Sequence, residues 1–166
     1  MPTIYIDTNI FSALYYRGRN DISLALKRVT RAWWDSEGAS FELCSSRVTE
    51  LELRGGKYWS QKPAVAACQR LRYLPVNALA KTCSQLYLTR RLVPETKPVD
   101  ALQLAIATAH DIDYLLTWNH AHLANPETQN RLVEVNAQLE LRTPELVTPQ
   151  SIPWASLGQA IRRRRS

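Results

Sequence analysis

Thr3-Ile4-Tyr5-Ile6-Asp7-Thr8-Asn9-Ile10-Phe11 is the stretch on which the fold turns. Its first four residues are β-branched or aromatic and favour a strand. Asp7, Thr8 and Asn9 are all good helix N-caps, and Ile10, Phe11, Ala13 and Leu14 follow at helical spacing. The segment therefore predicts strand, turn and helix, with a carboxylate at the junction.

Further along, the same alternation recurs. Asp21 is expected to cap a second helix, with Ile22, Leu24, Ala25, Leu26, Val29 and Ala32 as its apolar stripe and Gly38 at its close. Phe41–Cys44 reads as a strand, and Ser45 or Ser46 opens a helix ending near Gly55-Gly56. A helix through Ala64–Leu71, an extended piece at Tyr73–Val76 and a helix at Leu79–Leu92 precede a loop bounded by Pro94 and Pro98. Val99–His110 is apolar nearly all round, the signature of a buried helix. A strand at Asp113–Leu116, a helix at Glu127–Leu139 and a strand at Glu145–Val147 complete the pattern. Strands alternating with helices, without hairpin signals, predict an α/β layered fold on a mostly parallel sheet.

The chain has 166 residues, 45% of them apolar and 22% charged, which suits one domain with a core of its own. The expected division is a single domain over residues 1–155 and a basic tail over 156–166. Net charge is +6, but four of those charges are Arg162–Arg165, so the body is only mildly basic. Charge alone is thus weak support for a nucleic-acid partner. The tail could touch phosphates or serve as a solubilising end. Cys44, Cys68 and Cys83 are odd in number and lack metal-site spacing, which favours buried thiols in a reducing compartment. No apolar run is long enough to span a bilayer, and the expected location is cytoplasmic.

The polar residues at strand ends carry the chemistry. In open parallel sheets, sites gather at the C-terminal ends of strands. Asp7 follows the first strand, Glu50 and Glu52 follow the second, Asn119 follows Asp113–Leu116, and Asp100 opens the most apolar helix. Each has an ordinary structural explanation: a cap for Asp7, a complement to the helix dipole for Asp100, a solvated face for the glutamates, a turn for Asn119. Together they form an oxygen-rich set suited to Mg2+ or Mn2+, since crowded carboxylates repel one another unless a cation neutralises them. Such an ion can activate water and stabilise charge on a phosphate.

These motifs resemble those of the PIN-domain nucleases. Ile4–Asn9 is similar to the family's opening strand and D-[TS]-[NS] step. Pro98-Val99-Asp100-Ala101-Leu102-Gln103-Leu104-Ala105 is similar to its acid-bearing helix, and Tyr114–Asn119 to the strand that delivers the last polar ligand. The resemblance covers roughly residues 3 to 148 and is loosest over 15–40 and 57–90. It implies a three-layer α/β/α fold and a metal-dependent endoribonuclease with Asp7, Asp100 and one glutamate as ligands. Residues two apart on a helix point about 200° apart, so only one glutamate can face the pocket. Glu52, six residues after Ser46, is preferred, with Glu50 as the alternate.

Asn119 stands where the family commonly has an aspartate, and Thr117-Trp118-Asn119-His120-Ala121-His122 resembles a subgroup ending T-W-N-x-x-H. The amide removes one charge from the site, which leaves open a catalytically weak PIN-like module that binds RNA or protein. His122 could assist a phosphate or simply pack. Compact members are often VapC-type toxins restrained by an antitoxin, and often homodimers; RNA and an antitoxin are the partners the resemblance implies. Arg17, Arg19, Lys57 and Lys97 are candidates for steering RNA, while Trp33, Trp34, Trp59 and Trp154 lack a stacking pattern and are expected to pack. A haloacid-dehalogenase-type phosphatase needs a second acid two residues after Asp7, where Asn9 stands.

Overall fold

The computed structural model describes residues 1–56 and 60–153. Strand β1 (Thr3–Ile6) leads into α1 (Thr8–Leu14), followed by α2 (Asp21–Ser36) and a single 3-10 turn at Gly38–Ser40. Then come β2 (Glu42–Ser45), α3 (Arg47–Gly55), α4 (Gln61–Gln69), β3 (Arg72–Tyr73) and α5 (Ala78–Thr89). The buried helix α6 (Pro98–Ala109), β4 (Tyr114–Leu116), α7 (Pro126–Gln138) and β5 (Glu145–Val147) complete the order.

The five strands form one sheet in the order β3-β2-β1-β4-β5, and every pairing is parallel. The chain builds outward from β1 to β3, then crosses back to place β4 on the other side of β1. The sheet's switch point therefore lies between β1 and β4, where helices leave in different directions and open a crevice. Asp7 and Thr117 sit at that crevice, because Ile6 pairs with Leu116.

Alternation along the strands divides the core into two layers. Tyr5, Cys44, Leu115 and Leu146 face α5, α6 and α7 with Ala80, Tyr87, Leu104 and Leu132. Ile4, Ile6, Leu116 and Val147 face the other way, onto Phe11, Trp33, Leu53, Ala64 and Cys68. The result is helices on both faces of the sheet, the three layers that the resemblance implies. Helix α6 buries Ala101, Gln103, Leu104, Ala105, Ile106, Ala107 and Thr108, as its apolar circumference predicts.

Sequence expectation and structure part at α2. Asn20, not Asp21, is the N-cap, and its side chain accepts from Ser23 N. The face turned inward carries Thr30 and Trp33, while Ile22 is 73% exposed and Ala25 and Ala32 are also exposed. Thr30 and Trp33 are three apart and occupy the inner rows, so the helix is anchored by one indole rather than by its aliphatic stripe. Trp33 indeed packs against Trp34 and Phe41. Trp59, Trp154, Lys57 and the arginine tail lie outside the described residues. All three cysteines are buried free thiols.

Candidate active site

Asp7 is 3% exposed and caps α1 with an extended backbone. Its Oδ1 accepts from Thr8 N at 2.6 Å. Its Oδ2 accepts from Thr117 Oγ1 at 2.6 Å and from Asn9 Nδ2 at 3.1 Å. Asn9 goes further: Nδ2 also donates to Thr117 Oγ1 at 2.9 Å, and Oδ1 accepts from Trp118 N at 2.9 Å. The D-T-N step is thus a clamp that fastens the end of β1 to the end of β4. Asn9 contributes more than the capping propensity for which its residue type stood out.

Asp100 stands at the third position of α6, two residues after Pro98 at the helix start. Asn119 Nδ2 donates to its Oδ2 at 3.2 Å. Asn119 Oδ1 accepts from His122 N at 3.0 Å. A backbone N–H can only donate, so that bond fixes which end of the amide is oxygen and turns the NH2 toward Asp100. Asn119 therefore meets the acids as a donor.

The two glutamates of α3 have opposite surroundings, as their spacing requires. Glu50 is 2% exposed and accepts from Arg54 Nε at 3.1 Å, Gln69 Nε2 at 3.1 Å and Tyr73 OH at 3.0 Å, with Arg47 also paired to it. These bonds commit Glu50 to a buried network that ties α3 to α4 and β3. Glu52 lies on the opposite side, exposed, with Gln103 Nε2 3.3 Å from its Oε1.

Gln103 explains how Glu52 is held. It is 1% exposed, the polar residue one turn beyond Asp100 on the inner side of α6. Thr49 Oγ1 donates to its Oε1 at 3.1 Å, and its Nε2 also reaches Thr8 Oγ1 at 3.4 Å. Because the one Thr49 hydroxyl proton goes to Gln103, Tyr5 OH must donate to Thr49 at 3.0 Å, and Ser46 Oγ must donate to Tyr5 OH at 2.6 Å. A buried relay Ser46, Tyr5, Thr49, Gln103 thus ends on Glu52. Sequence reading passed over Gln103, although a lone glutamine inside the most apolar helix was the available signal.

Electrostatics join the three acids. The Asp7 carboxyl is pushed up to about 7, first by burial, with the charges of Asp100 and Glu52 acting in the same direction against the Thr117 hydrogen bond. Asp100 is also raised, first by burial and then by Glu52, while Lys97 and His122 act against the shift. Among the described residues, no three His, Cys, Asp or Glu side chains close on a single point tightly enough to hold an ion as placed. Asp7, Asp100 and Glu52 nevertheless suit a hard divalent cation in donor chemistry and in uncompensated charge. Arg17 and Arg19 are exposed in the loop after α1 and form no part of this cluster. Among the described residues, no helix is long and apolar enough to cross a membrane.

The PIN domain family matches residues 4–125. No curated protein matches the chain. Among solved structures, FitAB bound to an IR36 DNA fragment is similar with a TM-score of 0.55 and 16% identity, over 92% of this chain and 99% of that one. VapBC2 from Rickettsia felis, bound to a DNA fragment from their promoter, gives a TM-score of 0.47 and 13% identity, over 88% and 98%. The match of the family model over residues 4–125 makes this chain a member of the PIN domain family, whose members are generally nucleases.

Proposed function

We propose that this protein is an Mg2+- or Mn2+-dependent endoribonuclease that hydrolyses RNA phosphodiester bonds at the Asp7, Glu52 and Asp100 cluster. The observation that carries the reading is the placement of these carboxylates around the switch point of a parallel sheet: Thr117, just past β4, holds Asp7, Asn119 holds Asp100, and Gln103 reaches both Glu52 and Thr8. A bound divalent ion would supply a water of lowered pKa and charge stabilisation at the attacked phosphate.

The chain's own residues prepare for that chemistry. Asp7, fixed by Thr8, Asn9 and Thr117, presents an oxygen set that cannot rotate away. Gln103 orients Glu52, and Asn119 holds Asp100 through its NH2. Three acids in place of four leave a weaker hold on a cation, and the Asn119 oxygen would first have to leave His122 N to serve as a ligand. That feature favours, as a second reading, a module that binds RNA or protein with little cleavage.

The experiment is direct. The protein is incubated with structured and unstructured RNA in Mg2+, in Mn2+ and in chelator, beside Asp7→Asn and Asp100→Asn. Cleavage should require the metal and fall at least about a hundredfold in each variant. Cleavage that persists in chelator, or in both variants, rules the mechanism out. We also propose, from family kinship, a homodimer restrained as a toxin by an antitoxin. A small adjacent antitoxin-like gene and a dimer mass in solution would support it.

A further inference from the structure

Beyond the carboxylates, on the side of His122, lies a cavity of about 650 Å3 between the end of α5 and the start of α7. It is lined among others by Arg91, Arg131, His120, His122 and Asn125, with Glu127 as the acid among its described lining residues. Its volume is that of a site for a nucleotide-sized group. The lining draws two arginines and two histidines from three segments of the chain: the end of α5, the loop after β4 and helix α7.

The wall is built to keep its shape. Asn125 Nδ2 donates to His120 O at 2.8 Å and to Ala121 O at 3.3 Å, while its Oδ1 accepts from Thr128 N at 2.8 Å. One side chain thereby fixes both the loop that carries the histidines and the first turn of α7. Arg131 Nη2 donates to Arg90 O at 2.8 Å, which holds the guanidinium against the α5 end beside Arg91. The cavity also adjoins the acids. His122 N is bonded to Asn119, Asn119 is bonded to Asp100, and the His122 ring is near enough for its charge to act on that carboxylate.

We infer that this cavity is a second phosphate subsite, which binds a backbone phosphate of the RNA strand beside the one held at the carboxylates. Arg91 and Arg131 supply the charge, and a guanidinium fork matches phosphate oxygens. His122 stands on the border between the two positions. The inference rests on the nuclease reading for its direction along the strand, but the binding it asserts is independent of cleavage.

The test uses the full chain in chelator and a fluorescein-labelled single-stranded RNA of about 12 nucleotides, followed by anisotropy across a salt series. Arg91→Gln should weaken binding by about threefold and lower the salt slope by about 0.7, the share of one phosphate contact. Arg131→Gln should act in the same direction. Arg28→Gln, which removes an equal charge from the exposed face of α2, should leave both quantities as in the wild type. Arg91 serves as the lead variant because Arg131 also supports the α5 end. If Arg91→Gln and Arg131→Gln bind RNA with the wild-type affinity and slope, the subsite is overturned, whatever the protein cleaves. If Arg28→Gln weakens binding as much as they do, net charge is the cause and the subsite is equally overturned. Binding lost in the arginine variants alone, in a protein that cleaves no RNA with any metal, keeps the subsite and removes the nuclease reading.

Discussion

Thr117 Oγ1 donates to Asp7 Oδ2 at 2.6 Å across 110 residues of chain. The two residues close adjacent parallel strands, so this bond sets the distance between the two lips of the crevice. It is also the strongest of the influences holding the Asp7 carboxyl down against burial.

Thr117→Val keeps the shape and removes the hydroxyl. Asp7 Oδ2 then loses its shortest donor, and Asn9 Nδ2 and Asn119 N lose an acceptor. Leaving a buried carboxylate short of one bond costs about 1–3 kcal/mol. In a chain of this size that lowers Tm by roughly 2–10 °C. With its strongest restraint gone, Asp7 should ionise at higher pH. The acid limb of a cleavage profile should accordingly move upward; an unmoved limb with an unchanged Tm would show the bond to be idle.

Gln103→Leu tests the relay that ends on Glu52. The substitution fits the apolar surroundings of α6 but orphans the Thr49 hydroxyl and frees the Glu52 carboxylate. The expected loss is about 1–2 kcal/mol of stability, together with a severalfold rise in the Mg2+ concentration needed for half-maximal cleavage. Gln103→Glu is the informative companion, because it keeps an acceptor for Thr49 and places a repelling charge beside Glu52. Its metal requirement should shift while much of its stability remains. Metal titrations of cleavage beside thermal melts would separate the two effects.

At the other end of the sheet, Asp113 gives a pH test independent of the site. Its carboxyl is held below the usual range, first by the Thr3 backbone N–H at 2.8 Å and then by Arg142. A lowered folded pKa means the unfolded chain binds more protons as pH falls. The stabilisation is therefore full above the unfolded value and is lost as pH drops through the folded one. Asp113→Asn should lower Tm by about 2 °C at pH 7, since partly exposed pairs contribute little. Near pH 3 and below, the gap to wild type should narrow and close; a gap that stayed constant with pH would refute the linkage.

How much of this was legible beforehand follows from the range of each interaction. Strands and helices are local in origin, and Glu145–Val147 coincides with β5 because hydrophobic run and strand coincide. Asp7, Asp100 and Glu52 were visible through residue type and position. Helical geometry showed that Glu50 and Glu52 must face apart, while the preference for Glu52 came from the spacing after Ser46 in the family resemblance. What was illegible depends on partners far away in sequence. Asn9 looks like a cap until Trp118 N is seen on its oxygen, and Gln103 has no meaning without Thr49 and Glu52. The inner face of α2 is hidden for the same reason, because Phe41, which packs on Trp33, and Tyr114, which packs on Phe41, lie outside that helix.

Asn119→Asp addresses the missing fourth acid. The wild-type amide gives its NH2 to Asp100 and its oxygen to His122 N. An aspartate can keep the second bond, since its oxygen also accepts, but it replaces the first with repulsion against a carboxyl already raised by burial and by Glu52. Without divalent metal, the variant should therefore melt lower than wild type by roughly 2–6 °C, the equivalent of about 1–2 kcal/mol. With metal the sign reverses. A fourth carboxylate strengthens a hard-cation site, so Mn2+ should raise the variant's Tm by more than it raises that of the wild type, and half-saturation should come at a severalfold lower concentration. Thermal melts across an Mn2+ titration read both halves. A variant destabilised equally with and without the ion would mean that position 119 faces no cation, and that its amide serves only to seat Asp100.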